Sequence, residues 1–511
     1  MRNTKIFRST AAGWFMLVPL LTIVLFISHP ARASSPPSDV QVNQPFDGPF
    51  PTNRTAEPSI AQNPTNPKNL IVGSNDEIKE PPCTDTTPSV CQAVPGISLS
   101  GFYASFDGGN TFPCQGLLDL SAFGKWAEGD PWVAFDSRGN AYYGTLAFDT
   151  VATPPLPPTA DVFVAKSTDG GCTWPTAAKV SGTSPSIYDD KDAIAADAHV
   201  SSPFRDNVYV SWTKFAGGNN GAAQIMFSRS TDGGVTWDNP QGISNAEPAR
   251  GRQGANIQVG PDGTVYVVWT DNTSHGQLVQ KMAISYDGGK TFPKSNIIVA
   301  IVTDDVPDGI LPGTRFVANG IFPSMSIAPN GTIYVAWSNH TNGHAVVLLT
   351  KSTDRGQTWS SPIGANDVTG RSSALQAVSV DPNGKINVVS TALDDVPVGT
   401  PPGAGVVHYD SYWTQSTDGG VTFSSPVKIS KVTSDPDGSS THRLDMQFIG
   451  DYISAASDAS HVYAVWTDSR NATPCAAVDA YRAGTGPKPD VITQCPVTFG
   501  NTDIFLATVS Y

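Results

Sequence analysis

STDGGVTW, residues 230–237, decides how this chain folds, because it is one of six copies. The others read SFDGGNTF from Ser105, STDGGCTW from Ser167, SYDGGKTF from Ser285, STDRGQTW from Ser352 and STDGGVTF from Ser416. The frame is Ser-x-Asp-x-Gly-x-Thr-aromatic, and successive copies start 55 to 67 residues apart. That interval holds one four-stranded unit. The chain therefore reads as a radial repeat, an all-β propeller, rather than a string of domains.

The phrase itself is turn chemistry. Its Asp can accept from backbone N–H groups of its own turn, its fifth-position Gly can take φ > 0, and its aromatic can tuck between strands. Such a knot belongs between the third and fourth strands of a blade. Six like acids, one per blade around a rim, do not converge on a point, so they are structural rather than catalytic.

Between the phrases runs a second repeat, a hairpin with a Pro-Asp-Gly or Pro-Asn-Gly turn. Examples are ANIQVGPDGTVYVVWTD from Ala255 and PSMSIAPNGTIYVAWSN from Pro323; related stretches begin at Pro58, Pro131, Ala193, Gln376 and Tyr452. Seven hairpins against six phrases predict seven blades, with six as the alternative. After the seventh hairpin comes one good strand, TDIFLATVSY from Thr502, and then the chain stops. DVQVNQ from Asp39 has the pattern to supply the missing fourth strand, closing the ring and leaving no open edge.

The first 33 residues read as an export signal: Arg2, Lys5 and Arg8, then an apolar run from Trp14 to Ile27, then the small-x-small site Ala31-Arg32-Ala33. An uncleaved N-terminal anchor is the alternative. Either way the body, residues 34–511 as one propeller domain, is expected outside the cytoplasm. Removing the signal takes away four cations and moves the formal charge from −14 to −18. So acidic a body excludes nucleic acid and anionic membranes as partners. The six cysteines are expected to pair as Cys83–Cys91, Cys475–Cys495 and Cys114–Cys172. No cofactor is indicated. Asp435, Asp437 and the run Asp304, Asp305, Asp308 hold only fragments of a calcium loop, and His340 and His344 lack metal-ligand context.

The repeated phrase resembles the Asp box, or BNR repeat, of the sialidase superfamily. With the hairpins between them, the copies extend the resemblance over nearly the whole mature chain. The resemblance implies an Asp-box propeller whose boxes lie on the face away from substrate. It does not by itself imply sialidase activity, since such boxes also occur in other glycosidases, in lyases and in non-catalytic proteins.

Any site is expected at the opposite face, where chain enters each innermost strand. Aligning the hairpins puts Glu57, Asp130, Lys191, Gly254, Phe322, Leu375 and Asp451 at equivalent entry positions. Blade seven neighbours blade one, so Asp451, Glu57, Asp130 and Lys191 form an arc, with Glu128, Asp189, Asp190 and Asp192 beside it. Arg250, Arg252, Arg315, Arg371 and Arg443 occupy loops on the other side. Crowded carboxylates push their pKa values apart and can divide acid and base roles. Guanidinium grips a carboxylate or sulfate. Glu57, Asp130, Asp451 and Glu128 are thus candidate catalytic acids and bases, and Arg252, Arg371, Arg443 and Lys191 candidate substrate ligands. Strand-end caps tied into local salt bridges are the plainer alternative.

The sequence departs from sialidases where it matters. Their first blade opens with Arg-Ile-Pro, whereas this chain has Ala56-Glu57-Pro58-Ser59-Ile60. Tyr409 and Tyr452 lie in no recognisable nucleophile motif. The reading is an exported, monomeric, exo-acting glycoside hydrolase on an anionic carbohydrate. A non-catalytic glycan- or protein-binding propeller and a uronate polysaccharide lyase are the alternatives.

Overall fold

The computed structural model describes residues 38–511 apart from 47, 84–92, 150–159, 183–186, 217–221, 245–251, 273–276, 304–314, 316–320, 342–343, 398–399, 402 and 405–406. The export signal, Cys91, Arg250 and the Asp304–Asp308 run therefore lie outside the described residues. Seven antiparallel sheets form the blades of one ring. Their first strands are Thr55–Gln62, Trp132–Phe135, Ile187–Ala196, Gln253–Val259, Ser324–Ile327, Arg371–Val380 and Ser454–Ser457. Each packs on the next, and the seventh packs on the first.

The ring closes as the strand pattern predicts. Ser38–Gln41 pairs antiparallel with Asp503–Ser510, Val40 facing Leu506, and so becomes the outer strand of blade seven. An ionic latch fastens it. The Arg470 guanidinium reaches Asp39 at 2.8 Å and Asp468 at 2.7 Å, and lies 3.8 Å over the Phe505 ring.

Alternating apolar residues fill wedges between neighbouring blades, one wedge per pair. Trp212, Trp269, Trp337 and Trp466, from the second strands of four blades, are fully buried. The wedges make the ring rigid, so loops at either end are held at fixed separations.

The six boxes fold alike. In the third blade Ser230 Oγ donates to Asp232 Oδ1 at 2.8 Å, and Asp232 accepts from the Thr236 N–H and hydroxyl. Three boxes also tie their blades to the preceding ones: Lys166 Nζ donates to Gly233 O, Arg229 to Gly288 O and Lys351 Nζ to Gly419 O. Gly171 shows why glycine is needed. Its φ is 97°, and a Cβ there would lie 2.4 Å from Ile71 Cγ2. Cys114–Cys172 adds a covalent tie between blades one and two.

Register puts boxes and entry positions at opposite ends. In blade one Gln62 faces Leu70 and Leu70 faces Ser105 of the box, whereas Ala56, beside Glu57, faces Asn75 and Asn75 faces Ser100. The entry end carries an insertion of residues 469–502, with helices Ala476–Arg482 and Val491–Gln494 joined by Cys475–Cys495. It packs Val478 and Val491 on Phe50, Cys83, Leu444 and Phe499. Cys83 is disulfide-bonded, but its expected partner Cys91 is outside the described residues. Among the described residues no helix is long and apolar enough to cross a membrane.

Candidate functional site

The innermost strands do not run straight through the entry end. The ladder shifts register between Ala56 and Ser59, between Asp190 and Ala193, and between Gln253 and Asn256. In blade two the strand breaks outright, Lys125–Ala127 and Trp132–Phe135 both pairing with Ala141–Asp149. At each shift one residue turns left-handed: Glu57 at φ 59°, Asp130 at 50°, Lys191 at 51° and Gly254 at 72°. Bulges re-aim side chains, and left-handed backbone at a non-glycine residue costs about 1–2 kcal/mol. Three such residues at equivalent places in consecutive blades are held there by the surrounding ring, the pattern expected of a site.

The arc comes together around Glu57. Its carboxyl accepts from the Asp451 backbone N–H at 3.0 Å and from Asn75 Nδ2 at 2.6 Å. Gly450, at φ 90°, brings the blade-seven loop in close, where a Cβ would lie 2.7 Å from Glu57 Cγ. Burial, then the charges of Asp451 and Asp130, push the Glu57 carboxyl up to about 8. Glu57 therefore keeps its proton at neutral pH.

The blade-three acids continue the cluster. Asp190 is hydrogen-bonded to Asp130, and burial with that neighbour's charge raises it well above the carboxylate range. Gln253 Nε2 donates to Asp190 from blade four at 2.8 Å. Asp192 is fully buried, and burial, then Asp130, raise it strongly. Glu128 is half-buried and raised by burial and by Asp130 and Asp190. Asp189 turns away from the mouth and accepts from the Trp212 indole at 2.9 Å.

Lys191 sits inside this arc rather than projecting from it. Its backbone N–H donates to Asp130 at 3.1 Å, and its ammonium lies 3.2 Å from the Tyr452 ring centroid and 5.4 Å from that of Trp132. It is an internal counter-ion, stabilised by the ring faces. Below it a throat of about 30 Å³ is lined by Trp132, Lys191, Asn256, Phe322, Asp451 and Tyr452. The throat leads to a channel of about 210 Å³ to which all seven first strands contribute, including Ile60, Ala134, Ile194, Asn256, Met325, Val378 and Ile453.

The arginines are placed differently from the expected anion grip. Arg252 is buried, its Nε 3.0 Å from Asp271, which also takes Lys281 at 3.1 Å. Arg371 is shared between Asp394 at 2.9 Å and Asp410 at 3.0 Å. Both guanidiniums neutralise carboxylates of their own blades. Arg443 is largely exposed and pairs with Asp445 at 3.1 Å. Its neighbour His442 instead joins Arg54 in binding the buried Glu77. Arg315 donates its backbone N–H to Gln447.

Sequence reading overlooked Asn75, which binds Glu57 across its own blade, and Gln253 and Asn256, which face other blades. Trp132 and Tyr452 carried a usable signal, since both are aromatics one or two positions past an entry acid. Among the described residues no group of three or more His, Cys, Asp or Glu side chains is arranged to hold a metal ion. Asp435 caps the short turn Pro436–Gly438 by accepting from the Asp437 N–H.

A family description, a BNR repeat-like domain, matches residues 159–397. A search of curated proteins finds no match. Among solved structures the chain is similar to a Hadza microbial sialidase, at 16% identity and a TM-score of 0.44, covering 72% of this chain and 71% of that one. An α-L-arabinofuranosidase from Fusarium graminearum matches at 15% identity and a TM-score of 0.46, covering 77% of this chain and 98% of that one. The Trypanosoma rangeli sialidase matches at 11% identity and a TM-score of 0.43, covering 70% of this chain and 57% of that one.

Proposed function

We propose that this Asp-box propeller, which resembles the sialidase superfamily, is an exported glycoside hydrolase working at the entry end of its ring. One observation carries the reading: carboxyl groups from blades seven, one, two and three converge there, and burial raises Glu57 to about 8 and Asp190 and Glu128 well above their ordinary values. Glycoside hydrolysis requires one carboxylic acid to protonate the leaving oxygen and one carboxylate to assist attack. Asp190, half-buried and raised by burial, is the more accessible proton donor, and Glu57 lies behind it. Asp451, whose backbone fixes Glu57, and Glu128 flank them. The narrow mouth suits attack on a chain end. The disulfides support export.

The expected anionic sugar gains no support from the arginines, because Arg252 and Arg371 are committed to internal carboxylates. The reading therefore carries no anion grip. A release assay over aryl glycosides of differing sugars tests it. Glu57→Gln and Asp130→Asn should each lower a detected activity at least about 100-fold with thermal stability retained. Activity that survives both changes refutes the assignment.

A second reading, carbohydrate binding without turnover, is favoured by one feature. Glu57 is only 5% exposed and both its oxygens already have partners. Glycan binding with no product from any glycoside, abolished by Asp451→Ala, is its expected result.

A further inference from the structure

Three features of the mouth point to the same ligand chemistry. The first is its acids. Glu57, Glu128, Asp130, Asp190, Asp192 and Asp451 gather around Lys191, and among the described residues Arg252 and Arg371 are neutralised within their own blades. The second is an acceptor without a donor. Asn256 is 5% exposed and lines both the throat and the channel, and its Oδ1 has no hydrogen-bond partner among the described residues. An amide oxygen left so is costly unless a ligand or water donates to it. Asp192 lies outside the lining of both throat and channel, fully buried with neither oxygen accepting from another described residue. The third is the wall. Trp132, Phe322 and Tyr452 line the throat, and the Tyr452 face already carries an ammonium, that of Lys191.

From these we infer that the throat is a subsite for a ligand ammonium group, so that the preferred carbohydrate is an amino sugar bearing a free amine. The inference rests on reading this face as a glycan site. An ammonium brings three donors and no acceptor, which matches the acceptors in the throat's lining, the Asp451 carboxyl and the Asn256 and Gln376 amide oxygens. Its charge is stabilised by the Asp451 carboxylate and by the Trp132 and Phe322 faces, against the repulsion of Lys191, which already occupies the Tyr452 face. At about 30 Å³ the throat admits a group of one or two water volumes, so the amine enters while the sugar ring stays at the mouth. An N-acetyl group is larger and uncharged, and a uronate carboxylate meets like charge. A metal ion is disfavoured because the described carboxylates are not arranged to ligate one.

Binding should also release protons. A cation entering the arc stabilises the ionised carboxyls, so groups that hold protons in the free protein give them up.

The test is isothermal calorimetry on the whole protein at pH 7, with glucosamine and galactosamine, their N-acetyl forms and the matching uronates as probes. Free amines should bind at least about tenfold more tightly than the other forms. The heats should differ between phosphate and Tris buffers in the sense of proton release. Asn256→Leu and, as a gentler change, Asp451→Asn should each abolish the preference while leaving far-ultraviolet circular dichroism unchanged. Equal or tighter binding of acetylated or anionic probes overturns the inference, as does no binding of any probe or amine binding without proton release. Hydrolysis of neutral glycosides with no preference for amines overturns this inference and upholds the hydrolase. Amine-selective binding with no turnover does the reverse.

Discussion

Replacing Glu57 by Gln isolates the proton that the arc holds most visibly. Glu57 rises from 4.5 to about 8, first through burial and then through Asp451 and Asp130. Between those two values the folded chain keeps a proton that the unfolded chain has lost. Stability therefore falls as pH rises through this window, by about 1.4 kcal/mol per pH unit for this one group. A rise of some 3.5 units makes the total loss about 5 kcal/mol by pH 8, with no further change above it. A carboxyl with a raised value contributes its stability at low pH, and that contribution is gone once the folded group ionises. Gln has the same shape, keeps an acceptor for the Asp451 N–H and cannot ionise. The assay is guanidinium unfolding of both chains at half-unit steps from pH 5 to 8.5. Neighbouring acids titrate in both chains, so the quantity to follow is the difference. Glu57→Gln should gain on the parent at each step up to pH 8, then stay level. Parallel curves across the window would mean that Glu57 is ionised in the folded protein, and the proton inventory behind the hydrolase reading would fail.

Two further outcomes concern the scaffold. Arg470→Met leaves Asp39 and Asp468 buried without their shared guanidinium. It should cost about 3–5 kcal/mol and expose the blade-seven edge, seen as earlier thermal unfolding and faster proteolysis near residue 38. The boxes should set the acid limit of the fold. In Asp354 the Thr358 hydroxyl and N–H hold the carboxyl at about 2, and Asp418 is similarly low against the opposing effect of burial. Lowered carboxylates stabilise above the unfolded value and lose that contribution as pH falls through the folded one. Thr358→Val and Thr422→Val together should therefore lower stability most at pH 7 and progressively less as pH falls, while still moving the acid-unfolding midpoint upward. An unchanged midpoint would show that these turns do not govern acid unfolding.

The propeller was legible in the sequence because turn chemistry is local. An Asp that binds its own turn and a glycine at φ > 0 need only neighbouring residues, so six copies announce six turns wherever they sit. The seven hairpins carried the blade count for the same reason, and alternation in DVQVNQ marked a strand needing a partner. The entry positions were also legible, since a repeat fixes register: Glu57, Asp130 and Lys191 align in sequence and turn left-handed alike in the fold. What the sequence left open was the charge state and partner of each group. Arg252 and Arg371 look like free guanidiniums until Asp271, Asp394 and Asp410 are seen beside them. Lys191 reads as a substrate ligand until Tyr452, 261 positions further along the chain, lies under its ammonium. The proton on Glu57 depends on burial by blade seven and on acids from two other blades. Desolvation and Coulomb energies depend on distance in space, and only ring closure sets those distances. Sequence alone thus determined the scaffold and the register of the entry positions, and tertiary structure decided the partners and charge environment of the groups there.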